Sequence, residues 1–295
     1  MKNTRNLLFP ALVALLAVVL AGEMVPAQET GSSDYTPTVG QPGKDVIWVP
    51  TPEELVERML EMAEVGPRDY VIDLGSGDGR TVIAAAKNFG ARAMGIEYNP
   101  DMVALSKRNA EQAGVSHLVE FVEGDIFESD FSQATVITMY LLPRLNIELR
   151  PTILGLRPGT RIVSHAFDMD DWEPDQKITV EGRNAFLWIV PANVAGDWEL
   201  TVSTDRGEET WELELLQEFQ LVTGRVQRPD GSVDLVDGQM EGPELSFDFI
   251  DSNGSRRMVS GRAFTDRLAG TIREEGGNSR VWNAVRLVAT QSPRT

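Results

Sequence analysis

At 295 residues, the chain is long enough for two domains of ordinary size, each with its own hydrophobic core. Its net charge of −18 would repel a polynucleotide, so we expect no nucleic-acid partner. The absence of cysteine excludes disulfides and thiolate metal sites, and we expect no metal centre. Basic proteins and small neutral molecules stay open as partners, and an acidic surface that only aids solubility is the alternative.

The N-terminus has the pattern of an export signal. Lys2 and Arg5 precede an apolar run from Leu7 to Ala21, and a Val-Pro-Ala site ends just before Gln28. The run is shorter than the roughly 18 residues of a spanning helix, so residues 1–27 are predicted to be a cleaved signal peptide that leaves no membrane span. An uncleaved anchor is the alternative. Either way, the positive charges predict export, with the periplasm as the expected compartment.

The segment after this signal, residues 28–45, is rich in Gly, Ser, Pro and Thr without periodicity, which predicts a disordered linker. Residues 46–192 are predicted to form the first domain. It opens with a helix over residues 53–65, for which Thr51 is the expected N-cap. Trp48 and Thr51 are candidates for contact with a ligand, although a core tryptophan and a plain cap explain them as well.

An apolar run ending in Asp73 is followed by three glycines at alternate positions, within Y-V-I-D-L-G-S-G-D-G-R at residues 70–80. This pattern predicts a strand, a glycine turn and a helix, as in a nucleotide-binding α/β unit. Glycine is needed because such a tight turn uses positive φ and because a ligand lies directly on its backbone. The next predicted strand ends in Glu97, whose carboxylate can accept both hydroxyls of a ribose.

The position of Asp73 separates two cofactor classes. The dinucleotide fingerprint is G-x-G-x-x-G, whereas this chain has G-x-G-x-G with a carboxylate two residues before the first glycine. That carboxylate would repel the pyrophosphate of NAD and attract the ammonium of a methionine moiety. The residues resemble the first motif, D-x-G-x-G-x-G, of class I S-adenosylmethionine (SAM)-dependent methyltransferases. The resemblance implies SAM as cofactor, bound by Asp73, Gly75, Ser76, Gly77, Glu97 and Tyr98.

The third predicted strand, over residues 118–123, is followed by Gly-Asp-Ile-Phe. In the methyltransferase fold, an acidic residue at this strand end accepts the adenine amino group, and the next apolar residue packs on the ring. The resemblance therefore assigns Asp125 and Ile126 to adenine. A simple loop cap is the alternative role of Asp125.

The fourth predicted strand ends in Tyr140, which is our candidate residue on the acceptor side, with ring packing as the alternative. The sequence there is M-Y-L-L-P rather than the N-P-P-Y of amide and exocyclic-amine methyltransferases, which disfavours DNA adenine and glutamine as acceptors. His165 ends the fifth strand and is predicted to be a buried, hydrogen-bonded residue, with a general base as the alternative.

Strands and helices alternate through this domain, which predicts a doubly wound, Rossmann-like sheet of seven strands that ends in an antiparallel pair. The segments V-P-T-P, D-L-G-S-G-D-G-R, G-I-E-Y-N-P and Y-L-L-P resemble the small lysine methyltransferases related to the mitochondrial enzymes that modify the ATP synthase c subunit and the adenine nucleotide translocase. The likeness covers residues 46–190. It implies a protein acceptor and methyl transfer to a lysine ε-amine.

Methyl transfer from a sulfonium is an in-line displacement, so the enzyme mainly supplies alignment and desolvation. A lysine amine, with an ordinary pKa of about 10.4, has to lose its proton first. A dry pocket lined by Tyr140 would favour the neutral amine without a dedicated base.

Residues 197–288 alternate apolar and polar side chains, with turn signals every eight to twelve residues. About eight short up-and-down strands are predicted, forming a small β-barrel or closed sandwich, with bends at Gly224, Gly261 and Gly270. We expect an accessory or binding module. Because SAM is made in the cytoplasm, an exported binding protein that keeps the methyltransferase fold without turnover, and acts through its barrel, is the alternative function.

Overall fold

A computed structural model describes residues 35–205, 207–275 and 277–287. The predicted signal peptide, residues 1–27, lies outside the described residues. The described residues form one compact unit, which contains two separate sheets. In the described part of the chain, no helix has both the length and the apolar character needed to cross a membrane.

The first sheet has seven strands: β1 (Tyr70–Leu74), β2 (Arg92–Glu97), β3 (Val119–Glu123), β4 (Val136–Met139), β5 (Arg161–His165), β6 (Gln176–Val180) and β7 (Arg183–Ile189). Their order is β3-β2-β1-β4-β5-β7-β6. The first five strands are parallel, and β7 runs antiparallel between β5 and β6. The predicted Rossmann-like sheet with a final antiparallel pair is confirmed.

Central position explains why β1 and β4 are apolar. Ile72 of β1 lies in register with Met94 of β2 on one side and Ile137 of β4 on the other. Both strands are buried on both faces, as central parallel strands covered by helices are. The carboxyl ends of these strands therefore meet at one edge of the sheet.

Four helices accompany the sheet: α1 (Glu53–Met62), α2 (Arg80–Phe89), α3 (Pro100–Gln112) and α4 (Pro143–Leu154). The prediction that Thr51 caps α1 is wrong, because Pro52 is the N-cap residue and no side chain accepts a cap hydrogen bond. Thr51 is one residue too early for that role. Its hydroxyl is hydrogen-bonded to His165 Nδ1 at 3.0 Å instead.

The structure differs from the linker prediction over residues 35–45. Residues 40–48 form a hairpin, in which the Gly40 N–H donates to Trp48 O at 2.8 Å and the Trp48 N–H donates to Gln41 O at 2.9 Å. Pro42 and Ile47 are bridged across it. The order of this segment comes from its turn hydrogen bonds and its contacts with the first domain, which hydrophobic periodicity does not record.

The second sheet has nine antiparallel strands: β8 (Gly196–Thr204), β9 (Gly207–Glu218), β10 (Leu221–Arg228), β11 (Gly231–Asp234), β12 (Val236–Glu241), β13 (Glu244–Ile250), β14 (Arg256–Ala263), β15 (Arg267–Glu274) and β16 (Ser279–Arg286). Eight of them close into a barrel, because β9 pairs with β8 and β10, and β16 pairs with β8. Strand β11 pairs with β10 outside this ring. The predicted small barrel is confirmed, and large buried side chains such as Trp198, Phe247 and Trp282 fill its interior.

The predicted glycine bends lie where neighbouring backbones approach closely. Gly270 of β15 is in register with Gly261 of β14, and a Cβ on Gly270 would collide with Ser260 O.

Replacement of Gly270 by Ala is therefore expected to lower the free energy of unfolding by about 1–3 kcal/mol. Chemical denaturation monitored by tryptophan fluorescence measures this change. The control is Gly66→Ala, where the added Cβ meets open space and a loss of the same size would contradict the steric explanation.

The barrel contacts the first domain through the β9–β10 turn. Phe219 in this turn stacks on the fully buried Trp172, with ring centroids 5.8 Å apart. The Gln220 side-chain amide donates to Glu173 O at 2.8 Å. The Arg150 guanidinium of α4 lies 5.3 Å from the centroid of the Phe219 ring. The barrel thus packs on the segment that follows β5.

Candidate functional site

A cavity of about 640 Å³ lies at the carboxyl ends of the parallel strands. The hairpin of residues 40–48 and the start of α1 form its other walls. The structure brings all nine predicted site residues to this cavity: Asp73, Gly75, Ser76, Gly77, Glu97, Tyr98, Asp125, Ile126 and Tyr140. In open α/β sheets this crevice is the usual place of ligand binding.

The glycine turn after β1 lines the cavity with its backbone. The N–H groups of Gly75 and Ser76 both donate to Ile96 O, at 2.9 and 3.0 Å, so the turn is fixed to β2. Gly77 has a φ of +55°, and a Cβ there would lie 2.7 Å from Trp48 Nε1. Glycine is needed at this position for both reasons, since only glycine adopts this backbone freely and lets Trp48 pack directly on it.

Asp73 is the buried carboxylate of the cavity, with an exposed fraction of 7%. The Thr138 hydroxyl of β4 donates to Asp73 Oδ1 at 2.6 Å. Burial raises the pKa of Asp73 to about 7, although the Thr138 hydrogen bond acts in the opposite direction. A buried carboxylate with a raised pKa gains from a cationic ligand, because the pairing stabilises its charged form.

Glu97 is held by backbone donors on both sides. Its Oε2 accepts from the Gly77 N–H at 2.9 Å, and its Oε1 accepts from the Asn99 N–H at 3.0 Å. An ionised carboxylate has about four acceptor positions, so Glu97 keeps acceptor capacity toward the cavity. This geometry suits a ligand with two neighbouring hydroxyl groups.

Asp125 follows β3 and already has two partners. Its Oδ1 accepts from the Phe127 N–H at 3.0 Å, and its Oδ2 is paired with the Lys44 ammonium of the hairpin. These bonds, of which the one with Lys44 is the strongest influence, lower the pKa of Asp125. Lys44 also lies 5.2 Å from the centroid of the Tyr98 ring.

The cavity wall beyond β4 is aromatic and uncharged. Phe167 stacks on Tyr140 with ring centroids 6.3 Å apart, and His165 lies behind Tyr140 at a centroid distance of 3.8 Å. Burial and the charge of Arg183 lower the pKa of His165 to about 4, so its imidazole is neutral at neutral pH. The structure thus places His165 as a buried, hydrogen-bonded residue, in agreement with the preferred interpretation of the sequence.

Phe167 reaches the cavity through a strained turn. Ala166 has a φ of +69°, which a residue with a Cβ rarely adopts, and the Phe167 N–H donates to His165 O at 2.9 Å. Two buried side chains stabilise this turn: the Ser164 hydroxyl donates to Phe167 O at 2.6 Å, and the Asn146 amide donates to the same oxygen at 3.3 Å. Such strain is characteristic of functional sites.

Sequence reasoning missed several residues of the cavity wall. Lys44 and Arg80 are its two cations, and Asp45 and Asp78 add two carboxylates to those already described. Arg80 is fixed by an ion pair with Asp78 and by donation to Thr51 O at 2.9 Å. Arg80 could have been predicted as a cavity residue, because it directly follows the glycine turn in the sequence. No signal pointed to Lys44, since it lies in a segment without periodicity.

The site fits the SAM implied by the sequence motif. Ser76 Oγ is buried without a hydrogen-bond partner among the described residues, so a polar ligand atom would satisfy it. The acidic side chains of the cavity suit a cationic ligand with hydroxyl groups. No described group of three or more His, Asp or Glu side chains is arranged to hold a metal ion.

Comparisons with known proteins agree with this site. A family model described as the ANTKMT methyltransferase domain matches residues 73–176, and thus ends before the barrel. A protein-lysine N-methyltransferase of Saccharolobus islandicus is 47% identical over 151 residues, which are 49% of this chain and 94% of that protein. The human lysine N-methyltransferase of the ATP synthase c subunit is 29% identical over 196 residues, 66% of this chain and 77% of that protein.

Among solved structures, an RNA methyltransferase from Salinibacter ruber in complex with S-adenosylhomocysteine has 52% sequence identity. The match covers 50% of this chain and 96% of that chain, with a TM-score of 0.49. The Saccharolobus relative is matched over nearly its whole length at almost half identity, which is sufficient to assign the family. The chain therefore belongs to the SAM-dependent methyltransferases, in the family that includes the protein-lysine N-methyltransferase of Saccharolobus islandicus.

Proposed function

We propose that this chain transfers the methyl group of SAM to the ε-amine of a protein lysine. The observation that carries the proposal is the division of one cavity into two ends. The end at β1 to β3 has the carboxylates Asp73, Glu97 and Asp125, whereas β4, α4 and the turn after β5 contribute only uncharged side chains. A cationic cofactor suits the first end, and a neutral amine suits the second.

The predicted roles of the site residues follow from their environment. Asp73 would hold the cofactor's ammonium, since its burial makes a cationic partner favourable. Glu97 would hold the ribose hydroxyls with its free acceptor positions, and Asp125 with Ile126 would contact adenine. Arg80 is the cation at the glycine turn and is suited to a carboxylate. When bound, SAM supplies a methyl group that is activated by its positively charged sulfur.

The chain's own part in the transfer is to align the acceptor and exclude water. Tyr140 and Phe167 form an uncharged wall in which a lysine ammonium would be poorly solvated, so the acceptor is bound as the neutral amine. His165 is buried behind Tyr140 and does not line the cavity, which agrees with a mechanism without a dedicated base. Fixed geometry of this kind is what an in-line displacement requires.

Charge supports a protein rather than a nucleic-acid acceptor. The net charge of −18 disfavours RNA through repulsion of its phosphates, although the Salinibacter protein is described as an RNA methyltransferase. A basic, lysine-rich protein is attracted by the same charge. The human relative is named for a lysine of the ATP synthase c subunit, which has the same acceptor chemistry.

The test is incubation of the full chain with methyl-labelled SAM and two separate acceptors, a lysine-rich unfolded protein and total RNA. We expect label in Nε-methyllysine after acid hydrolysis, and loss of this label in the Tyr140→Ala variant with retained S-adenosylhomocysteine binding. Label in RNA alone would contradict the lysine assignment. Binding of S-adenosylhomocysteine with no transfer to either acceptor would favour the alternative, an exported binding protein that acts through its barrel.

The cellular place of this activity is also a proposal, supported by Lys2, Arg5 and the apolar run that follows them. We infer that residues 1–27 direct export and are removed, and that residues 197–288 act as an accessory module of the exported enzyme. N-terminal sequencing of the protein from the periplasmic fraction tests this inference. A protein that starts near Gln28 is expected, and a full-length cytoplasmic protein would contradict it.

A further inference from the structure

The hairpin of residues 40–48 covers the mouth of the cavity and is closed by its own backbone. Besides the pairing of Gly40 with Trp48, the Gly43 N–H donates to Val46 O at 2.8 Å and forms its tip. Lys44 and Asp45 are the two charged residues at this tip. Every residue from Gln41 to Val49 lines the cavity, so the hairpin is a wall of the site.

The tip is attached to opposite sides of the cavity. On one side Lys44 pairs with Asp125, which follows β3. On the other side Asp45 pairs with Arg144 of α4 at 3.6 Å, and the Arg144 guanidinium also donates to Asp45 O at 3.3 Å. Strands β3 and β4 are separated by β2 and β1 in the sheet, so the two ion pairs extend across the strand ends between them.

The Lys44 ammonium lies at the end of the cavity that is assigned to the cofactor's adenine. Its ammonium lies between the Asp125 carboxylate and the Tyr98 ring, which are two of the residues assigned to the cofactor. Asp125 Oδ1 accepts from the Phe127 N–H and Oδ2 is paired with Lys44, so each oxygen already has one donor. An adenine amino group that donates to this carboxylate would approach the Lys44 ammonium, so the two donors compete for it.

We propose that Lys44 is a latch residue, which holds the hairpin over the cofactor site by its pair with Asp125 and is displaced when adenine binds. The proposal rests on the proposed function for the identity of the cofactor. Exposed fractions of 39% for the Lys44 side chain and 15% for that of Asp125 leave the pair within reach of solvent. Such a pair is weak enough to open during each binding event and is screened by salt.

The test measures the binding kinetics of S-adenosylhomocysteine, which has no net charge, by stopped-flow fluorescence. Trp48 on the hairpin reports on the cavity, since the other five tryptophans are buried in the two cores. We expect Lys44→Met to raise the association rate constant about two- to five-fold, the factor that an exposed ion pair can supply, with an unchanged dissociation rate constant. The dissociation constant falls by the same factor.

The dependence of binding on salt concentration is a second test of the Lys44–Asp125 ion pair. Raising NaCl from about 0.05 M to about 0.5 M should raise the association rate constant of the wild-type protein, because salt screens the Lys44–Asp125 ion pair. The association rate constant of Lys44→Met should not change, because this variant already lacks the pair. Lys87→Met removes an exposed lysine of α2 that does not line the cavity, and it should behave as wild type. Trp48→Phe should remove the change in fluorescence on binding, because the other five tryptophans lie in the two cores.

The outcomes separate the latch from the cofactor assignment. Binding with an unchanged association rate constant in Lys44→Met would overturn the latch alone. Weaker binding in Lys44→Met would also overturn it, because Lys44 would then be a contact of the bound cofactor rather than its competitor. A folded wild-type protein that does not bind S-adenosylhomocysteine would overturn the proposed function and the latch together.

Discussion

Replacement of Asp73 by Asn is expected to weaken the binding of S-adenosylhomocysteine by at least about 100-fold. The substitution keeps the size of the side chain but removes the charge that the ligand's ammonium would pair with in a buried site, where loss of one partner is costly. Isothermal titration calorimetry measures the change. Asp101→Asn is the control, because Asp101 is an exposed carboxylate in the first turn of α3. Equal binding by the wild type and Asp73→Asn would contradict the role of Asp73.

The pH dependence of binding follows from the same residue. With a pKa of about 7, Asp73 of the free protein is mostly protonated below neutral pH and has to lose this proton when the ammonium binds. The dissociation constant for S-adenosylhomocysteine should therefore be about ten-fold larger at about pH 6 than at about pH 8. The residual binding of Asp73→Asn should lack this dependence.

Stability of the free protein should change in the opposite direction. In the unfolded chain Asp73 has its ordinary pKa of 3.8, whereas in the folded chain the pKa is about 7. The folded state thus binds the extra proton between these values, and wild-type stability is lost as the pH rises from about 4 to about 7, by up to about 4 kcal/mol. Denaturation of Asp73→Asn relative to the wild type across this range should show its relative stability rising with pH.

Replacement of Gly77 by Ala is expected to weaken S-adenosylhomocysteine binding by at least about ten-fold. The added Cβ would lie 2.7 Å from Trp48 Nε1, so the tryptophan and the hairpin that carries it have to move. Trp48 lines the cavity, so its displacement changes the shape of the ligand site. The left-handed backbone at Gly77 also costs about 1–2 kcal/mol of stability once the residue has a side chain.

Gly114→Ala separates these two effects. Gly114 has a φ of +74°, so its replacement has a similar backbone cost, but a Cβ there meets open space. Both variants should lose stability in thermal denaturation, and only Gly77→Ala should lose affinity in calorimetry. If both variants bind S-adenosylhomocysteine equally well, contact with the glycine turn is not part of the site.

The centre of the fold could be predicted from the sequence because it depends on local patterns. The buried strands β1 and β4 are apolar except for Asp73 and Thr138, and the glycine turn after β1 has a fixed spacing. Glu97 and Asp125 end neighbouring strands, so parallel pairing alone brings them to one edge. Alternation of apolar and polar residues likewise predicted the barrel. These are periodicities that a single strand or helix imposes on its own residues.

The contacts that sequence reasoning missed join distant segments of the chain. Lys44 meets Asp125 across 81 positions of the chain, and Thr51 meets His165 across 114. Neither pair leaves a periodic pattern in its own segment. The predicted N-cap of α1 was wrong for a related reason. Pro52 is at the capping position, and the Thr51 hydroxyl is hydrogen-bonded to His165 of the sheet instead.

The stack of Trp172 on Phe219 has a consequence for hydrogen exchange. Trp172 is five residues after Phe167 and is fully buried against a side chain of the barrel. A local opening of the β9–β10 turn would remove that partner and loosen the segment that leads back to the cavity. The amides of residues 168–172 then exchange at rates governed by the opening of the barrel. We therefore expect the barrel to influence the rigidity of the cavity wall at Phe167, although Phe219 itself is not a residue of that wall.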